Sequence, residues 1–214
     1  MGKKLLLIGA GGHANSVIDS LYSSGEFDEI GIVVNDLPKG EDILGISVLG
    51  SDDELDELRN QGFEYAFVTV GSIGDTTLRR KLTDILVSKG FIIPNIIDKT
   101  ATLSKFSIIG EGNFIGKHAI VNANAQVGNY NIINTATIID HDCKVSNFVH
   151  VSPGSVLNGG VIVKNDSHIG ANSTVKQKVI IGENALIGMG SVVIHNISNN
   201  TIAYGNPCKE VKIK

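Results

Sequence analysis

The run Ile139-Asp140-His141-Asp142 sets one imidazole between two carboxylates. Histidine titrates near neutral pH, and an adjacent carboxylate orients its ring and raises its basicity. That combination equips His141 as a general base with Asp142 as its partner. For a single histidine the plainer alternative is a solvated polar corner. His150 and His168 are 18 residues apart. Stacked on one face they could be metal ligands, a polar ladder or cofactor contacts. No third histidine is spaced to complete a metal set, so no metal is expected. His118 and His195 have no evident partner and are expected at the surface. Cys143 follows the run but occupies a slot of small, inward residues, so no covalent carrier is expected.

A second constellation lies near the start of the chain. Gly9-Ala10-Gly11-Gly12-His13-Ala14 follows an apolar run, Lys3 to Ile8, and precedes a helical pattern. A glycine-rich turn entering a helix lets backbone N–H groups approach a phosphate. Asn35-Asp36 and Gly71-Ser72 end two further strand patterns. An acid such as Asp36, so placed, can accept hydrogen bonds from a ribose or a base. Gly9 to Ala14 also fits G-x-G-x-x-A, the dinucleotide fingerprint. The region has about half the strands of a full dinucleotide fold, and no hydride-transfer residues follow. Nucleotide-sugar recognition is therefore favoured over NAD binding or a purely structural turn.

Two different periodicities must position these groups. Residues 1–94 read as alternating strands and helices: strands at 3–8, 29–34, 65–70 and 91–93, and helices at 14–22, 52–61 and 75–88. This order implies a small Rossmann-like α/β domain with a parallel sheet, ending at Pro94. Residues 95–214 follow another rule. From Ile97 to Val193 every sixth residue is Ile, Val or Leu without exception. A period of six fits neither an amphipathic helix nor an alternating strand, but a β-solenoid with one hexad per face. Three faces make a coil of about 18 residues. The residue four places after each aliphatic is usually small, as at Ala119, Ala125 and Cys143, which suits a crowded corner. Glycines after the aliphatics, such as Gly110 and Gly170, are expected to serve the tight corner geometry.

The composition narrows the classes further. A formal net charge of −4 offers no polycationic face for nucleic acid. Aromatics are 5% and Trp is absent, as expected of a core of stacked β-branched residues. The two cysteines lack metal spacing and suit a reducing compartment. No signal segment or bilayer-length apolar run is evident, so a cytoplasmic location without membrane attachment is expected.

The hexads, the Asp140-His141-Asp142 run and the tail Gly205-Asn206-Pro207-Cys208-Lys209 together resemble the left-handed β-helix acyltransferases. Within them the whole chain looks like the sialic-acid O-acetyltransferase-like group, closest to the UDP-4-amino-sugar N-acetyltransferases of the bacillosamine pathway. The resemblance implies an α/β nucleotide-sugar domain followed by an all-β left-handed parallel β-helix. It implies direct transfer from acetyl-CoA, the co-substrate, to the 4-amino group of a UDP-4-amino-4,6-dideoxy sugar. His141 matches the base and Asp142 its acidic neighbour, more often Glu. Gly11, Gly12 and His13 match the loop at the substrate's phosphates. Asn35 and Asp36 match a pair contacting uracil or ribose, and Gly71 matches another substrate contact. His150 matches an acetyl-CoA contact, while Ala171, Gly188, Met189 and Gly190 match positions along the pantetheine arm. Members of the family are trimers with active sites between adjacent helices, so a homotrimer is implied. A sugar O-acetyltransferase, a non-catalytic nucleotide-sugar scaffold and a metal-dependent hydratase are the rival readings.

Overall fold

The computed structural model describes residues 2–214, which form two compact units. One comprises residues 2–72 with 77–96, the other residues 73–76 with 97–214.

The first unit is built on β1 (Lys4–Ile8), whose Leu5, Leu6 and Leu7 are fully buried. A strand that reads as a continuous apolar run belongs at the centre of a parallel sheet covered on both faces. β1 pairs in parallel with β2 (Glu29–Val33) on one side and β5 (Tyr65–Val68) on the other. The sheet order is β3-β4-β2-β1-β5, with β3 (Asp42–Ile43) antiparallel to β4 (Ile46–Gly50). Helices α1 (Gly12–Ser24), α2 (Leu55–Asn60) and α3 (Thr77–Ser88) complete the unit. The chain moves outward from β1 through β2 to β4, then returns to the far side of β1. That reversal falls at the carboxyl ends of β1 and β5, the place where such sheets bind ligands.

Three local features differ from the sequence expectation. The β3–β4 hairpin falls in a stretch rich in Gly, Pro and Asp, to which the sequence reading assigns no element. β4 alternates buried and part-exposed residues, and its pairing with β2 makes it a strand. Residues 91–93 contribute a single bridge, Tyr65 to Ile92, in place of a strand. Helix α1 begins at Gly12, so Gly12 and His13 form its first turn.

The second unit is the left-handed parallel β-helix. Its two-residue strands stack in parallel with partners 18 residues apart, as in Ile120–Val121 on Ile138–Ile139. Three sheets form the prism walls, and the third, running from Ile96–Ile97 upward, ends on the hairpin Thr201–Gly205 and Cys208–Ile213. The antiparallel hairpin closes an edge that would otherwise offer unpaired backbone groups. Ile139, Leu157, Val175 and Val193 stack inside at 0% exposure, making the hexad aliphatics the core. The corner column Ala125, Cys143, Val161, Val179 and Ile197 is buried alongside them.

The corner glycines act differently from the expectation. The left-handed backbone sits three residues after the aliphatics from Ile109 to Ile187, at Asn124, Asp142, Asn172 and Asn184 among others. Asn and Asp adopt that conformation more readily than most side chains. Gly170, directly after Ile169, does not have a positive φ. It is small because the next coil presses on it: a Cβ there would stand 2.5 Å from the Met189 backbone nitrogen.

Candidate active site

His141 lies on the turn after strand Ile138–Ile139, with its side chain 62% exposed. Asp142 occupies the left-handed corner position, φ 61°. This conformation places its carboxylate against the ring, with Oδ2 2.8 Å from His141 Nδ1. Asn124, one coil below, donates from Nδ2 to Asp142 Oδ1 at 2.6 Å. Asp140 is held in the same way. Asn122 donates to its Oδ1 at 2.9 Å. Asp140 Oδ2 stands 3.8 Å from His141 Nε2. Gly159 leaves room for the ring, since a Cβ there would come within 2.6 Å of His141 Cε1.

The electrostatics follow from these contacts. The hydrogen bond to Asp142, then the charge of Asp140, raises the His141 pKa above its ordinary value. The Asp142 carboxyl is held below its usual range, first by His141 and then by Asn124. Asp140 is lowered chiefly by the His141 backbone N–H. With Nδ1 bound to Asp142, the ring offers Nε2 to take a proton.

Cys143 turns inward, as its slot requires. Its Sγ faces the carbonyl oxygen of Asn158 at 3.2 Å, and burial pushes the thiol up to about 11. A thiol so protonated and enclosed is no nucleophile.

On the third wall of the prism a recess of about 370 Å³ is lined by His150, Ala171, Gly188 and Met189, four of the five positions matched to acetyl-CoA. Gly190 lies just beyond, donating its N–H to the Ala171 carbonyl at 2.8 Å. Ile73, Ser152, Pro153, His168, Gly170, Leu186 and Ile187 also form the wall. The 18-residue spacing stacked His168 on His150, with a cofactor contact among its open readings, whereas Ser152 went unassigned and nothing local marked it.

In the first unit the sheet brings Gly11, Gly12, His13 and Gly71 to the carboxyl ends of β1 and β5. Gly9 makes the sharp exit from β1 with φ 110°, and a Cβ there would stand 2.8 Å from Val70 Cγ2. Gly11 and Gly12 have open space where side chains would be, so the first N–H groups of α1 can approach an anion. A Cβ on Gly71 would contact His13 Cβ at 3.4 Å. His13 is turned inward near Arg79, and burial followed by that cation lowers its pKa to about 4. It therefore brings no positive charge to a phosphate at neutral pH. Asn35 is engaged with Asp52: it donates from Nδ2 to the carboxylate at 2.9 Å and accepts the Asp52 N–H at 3.0 Å. Asp36 beside it is exposed.

Among the described residues no three His, Cys, Asp or Glu side chains cluster as metal ligands. Among the same residues no helix is long and apolar enough to cross a membrane.

Comparison with known proteins places this geometry in a family. Residues 4–86 match the PglD N-terminal domain model. A histidine-to-asparagine variant of perosamine N-acetyltransferase from Caulobacter crescentus, solved with CoA and GDP-perosamine, is 35% identical, with TM-score 0.92, and the match covers 98% of this chain and 97% of that one. The acetyltransferase domain of PglB from Neisseria gonorrhoeae, in complex with acetyl coenzyme A, is 32% identical, with TM-score 0.89 over 99% and 100% of the two chains. A curated relative, uncharacterized protein L142 of Acanthamoeba polyphaga mimivirus, is 33% identical over 110 residues, 51% of this chain. The match spans 20% of that protein's length. The chain belongs to the left-handed β-helix acyltransferase family, among members that carry a PglD-type N-terminal domain.

Proposed function

We propose that the protein transfers the acetyl group of acetyl-CoA to the 4-amino group of a nucleotide-linked 4-amino-4,6-dideoxy sugar. The observation that carries this reading is the exposed His141 ring, bound at Nδ1 by Asp142 at 2.8 Å and open at Nε2. The substrate amine attacks the thioester carbonyl. A C–N bond forms, the amine proton passes to His141 Nε2, and the tetrahedral intermediate expels the CoA thiolate as the C–S bond breaks. Asp142 holds the ring, and Asp140 lies 3.8 Å from the nitrogen that becomes charged. Cys143 is excluded as a carrier, so transfer is direct.

The recess at His150, Ala171, Gly188 and Met189, with Gly190 at its rim, takes the pantetheine arm. Gly11 and Gly12 take the diphosphate on the α1 N-terminus, with His13 and Gly71 shaping the turn. Asp36 takes the ribose or base, and Asn35 braces that strand end through Asp52. UDP follows from the resemblance to bacillosamine-type enzymes, and GDP is the nucleotide in the Caulobacter complex. The protein is proposed to act as a cytoplasmic homotrimer with active sites between adjacent β-helices.

Thiol release from acetyl-CoA tests the reading, with UDP- and GDP-linked 4-amino sugars and CMP-sialic acid as acceptors. Release with an amino sugar and an amide product supports it. An ester product on sialic acid alone would establish the O-acetyltransferase instead. Absence of release with every acceptor, alongside tight nucleotide-sugar binding, would favour a scaffold.

A further inference from the structure

We propose that His168 is a positioning residue that holds the His150 ring in one orientation at the wall of the recess. The two residues pair in register on adjacent coils. Their rings meet edge to face, with centroids 4.8 Å apart and planes at 88°. His168 is 7% exposed, and its Nε2 stands 3.2 Å from Ser152 Oγ. Its own ring is thus tethered, and it offers His150 a fixed edge.

The protonation state of His150 follows from a separate contact. Asn134 Oδ1 accepts the Thr135 backbone N–H at 2.8 Å, which settles the direction of the amide. Asn134 Nδ2 then faces His150 Nε2 at 3.3 Å. An amide nitrogen donates, so Nε2 accepts, and His150 is neutral with its proton on Nδ1. Asn134 selects the tautomer only while His168 holds the plane of a ring whose own torsion is broad and so keeps Nε2 facing the amide.

Packing alone does not call for an imidazole here. The same slot in the coils below and above holds Phe114, Ile132, Leu186 and Ile202. Only His150 and His168 break the apolar column, and they do so together, beside the recess.

The test uses histidine-labelled protein and ¹⁵N spectra of the imidazole nitrogens, with acetyl-CoA kinetics in parallel. The wild-type protein is expected to show His150 protonated at Nδ1 and bare at Nε2. His168→Leu, which copies the next coil, is expected to average those two signals. It should also lower kcat about 10- to 100-fold, the scale of a misplaced group near the chemistry. His168→Phe restores the aromatic edge without the Ser152 tether and is expected to recover only part of that loss. Unchanged His150 signals in folded His168→Leu would overturn the proposal, as would failure of the Phe variant to recover. If the Leu variant does not fold, Ser152→Ala reads the same tether, and unchanged His150 signals there overturn it too. The kinetic arm rests on the acetyl-transfer reading and the spectra do not. A wild-type protein inactive with every acceptor but showing the fixed tautomer would therefore refute only the reading.

Discussion

Asn124 and Asp142 sit one coil apart, and the amide of the first binds Oδ1 of the second at 2.6 Å, leaving Oδ2 for His141. Asn122 and Asp140 repeat the relationship two residues earlier. The coil below therefore acts as a template for the proposed base: each carboxylate beside His141 is aimed by an asparagine 18 residues back. Replacing His141 with Ala is expected to lower turnover by roughly two to four orders of magnitude, the usual contribution of a general base. CoA affinity measured by calorimetry should hardly change, because the recess proposed for CoA does not include His141. Near-wild-type turnover in this variant would remove His141 from the mechanism.

As the proposed base His141 works only when neutral, and its pKa lies above the ordinary 6.5 because Asp142 and Asp140 favour the charged ring. The acidic limb of kcat/KM against pH should accordingly fall above pH 6.5. Asp142→Asn keeps the shape and the left-handed backbone but loses the charge. That variant is expected to move the acidic limb to lower pH while lowering the plateau. An unmoved limb would mean that another group titrates.

Gly159 is the neighbour that the His141 ring needs. Gly159→Ala puts a methyl group 2.6 Å from Cε1 in the present geometry, so the ring must swing away. Turnover should fall about 10- to 100-fold, as for a catalytic group misplaced by around an ångström. CoA affinity and the melting temperature should stay close to wild type. Full activity would indicate that the ring works from another position.

His13 predicts a pH dependence of stability. Its folded pKa of about 4 lies below the unfolded 6.5. Between those values the unfolded chain binds a proton that the folded one does not, so stability declines as pH falls from about 6.5 to 4. The decline from this residue should be no more than about 3 kcal/mol. Thermal melts of the wild type and His13→Asn at pH 7 and pH 5 measure it, and the variant should lose less stability on acidification. Equal losses would assign the acid sensitivity elsewhere.

Much of this architecture could be read from residue order alone. The hexads announced the β-helix because one aliphatic per wall is a one-dimensional pattern, repeated at constant spacing. The same spacing stacked His150 on His168 and sent Cys143 inward. The Asp140-His141-Asp142 run was legible because its members are chain neighbours. The β3–β4 hairpin was not, because only pairing with β2 turns a loop-like stretch into a strand. The corner glycines were assigned to backbone freedom, whereas the next coil's backbone is what requires them to be small. Tertiary packing alone decided that His13 is half-buried and its pKa lowered, that Asn35 binds Asp52, and that Asn122, Asn124 and Gly159 surround His141. Periodicity and adjacency are written along the chain. The charge a histidine carries and the partner an amide chooses depend on burial and on residues distant in sequence, and those exist only once the coils have stacked.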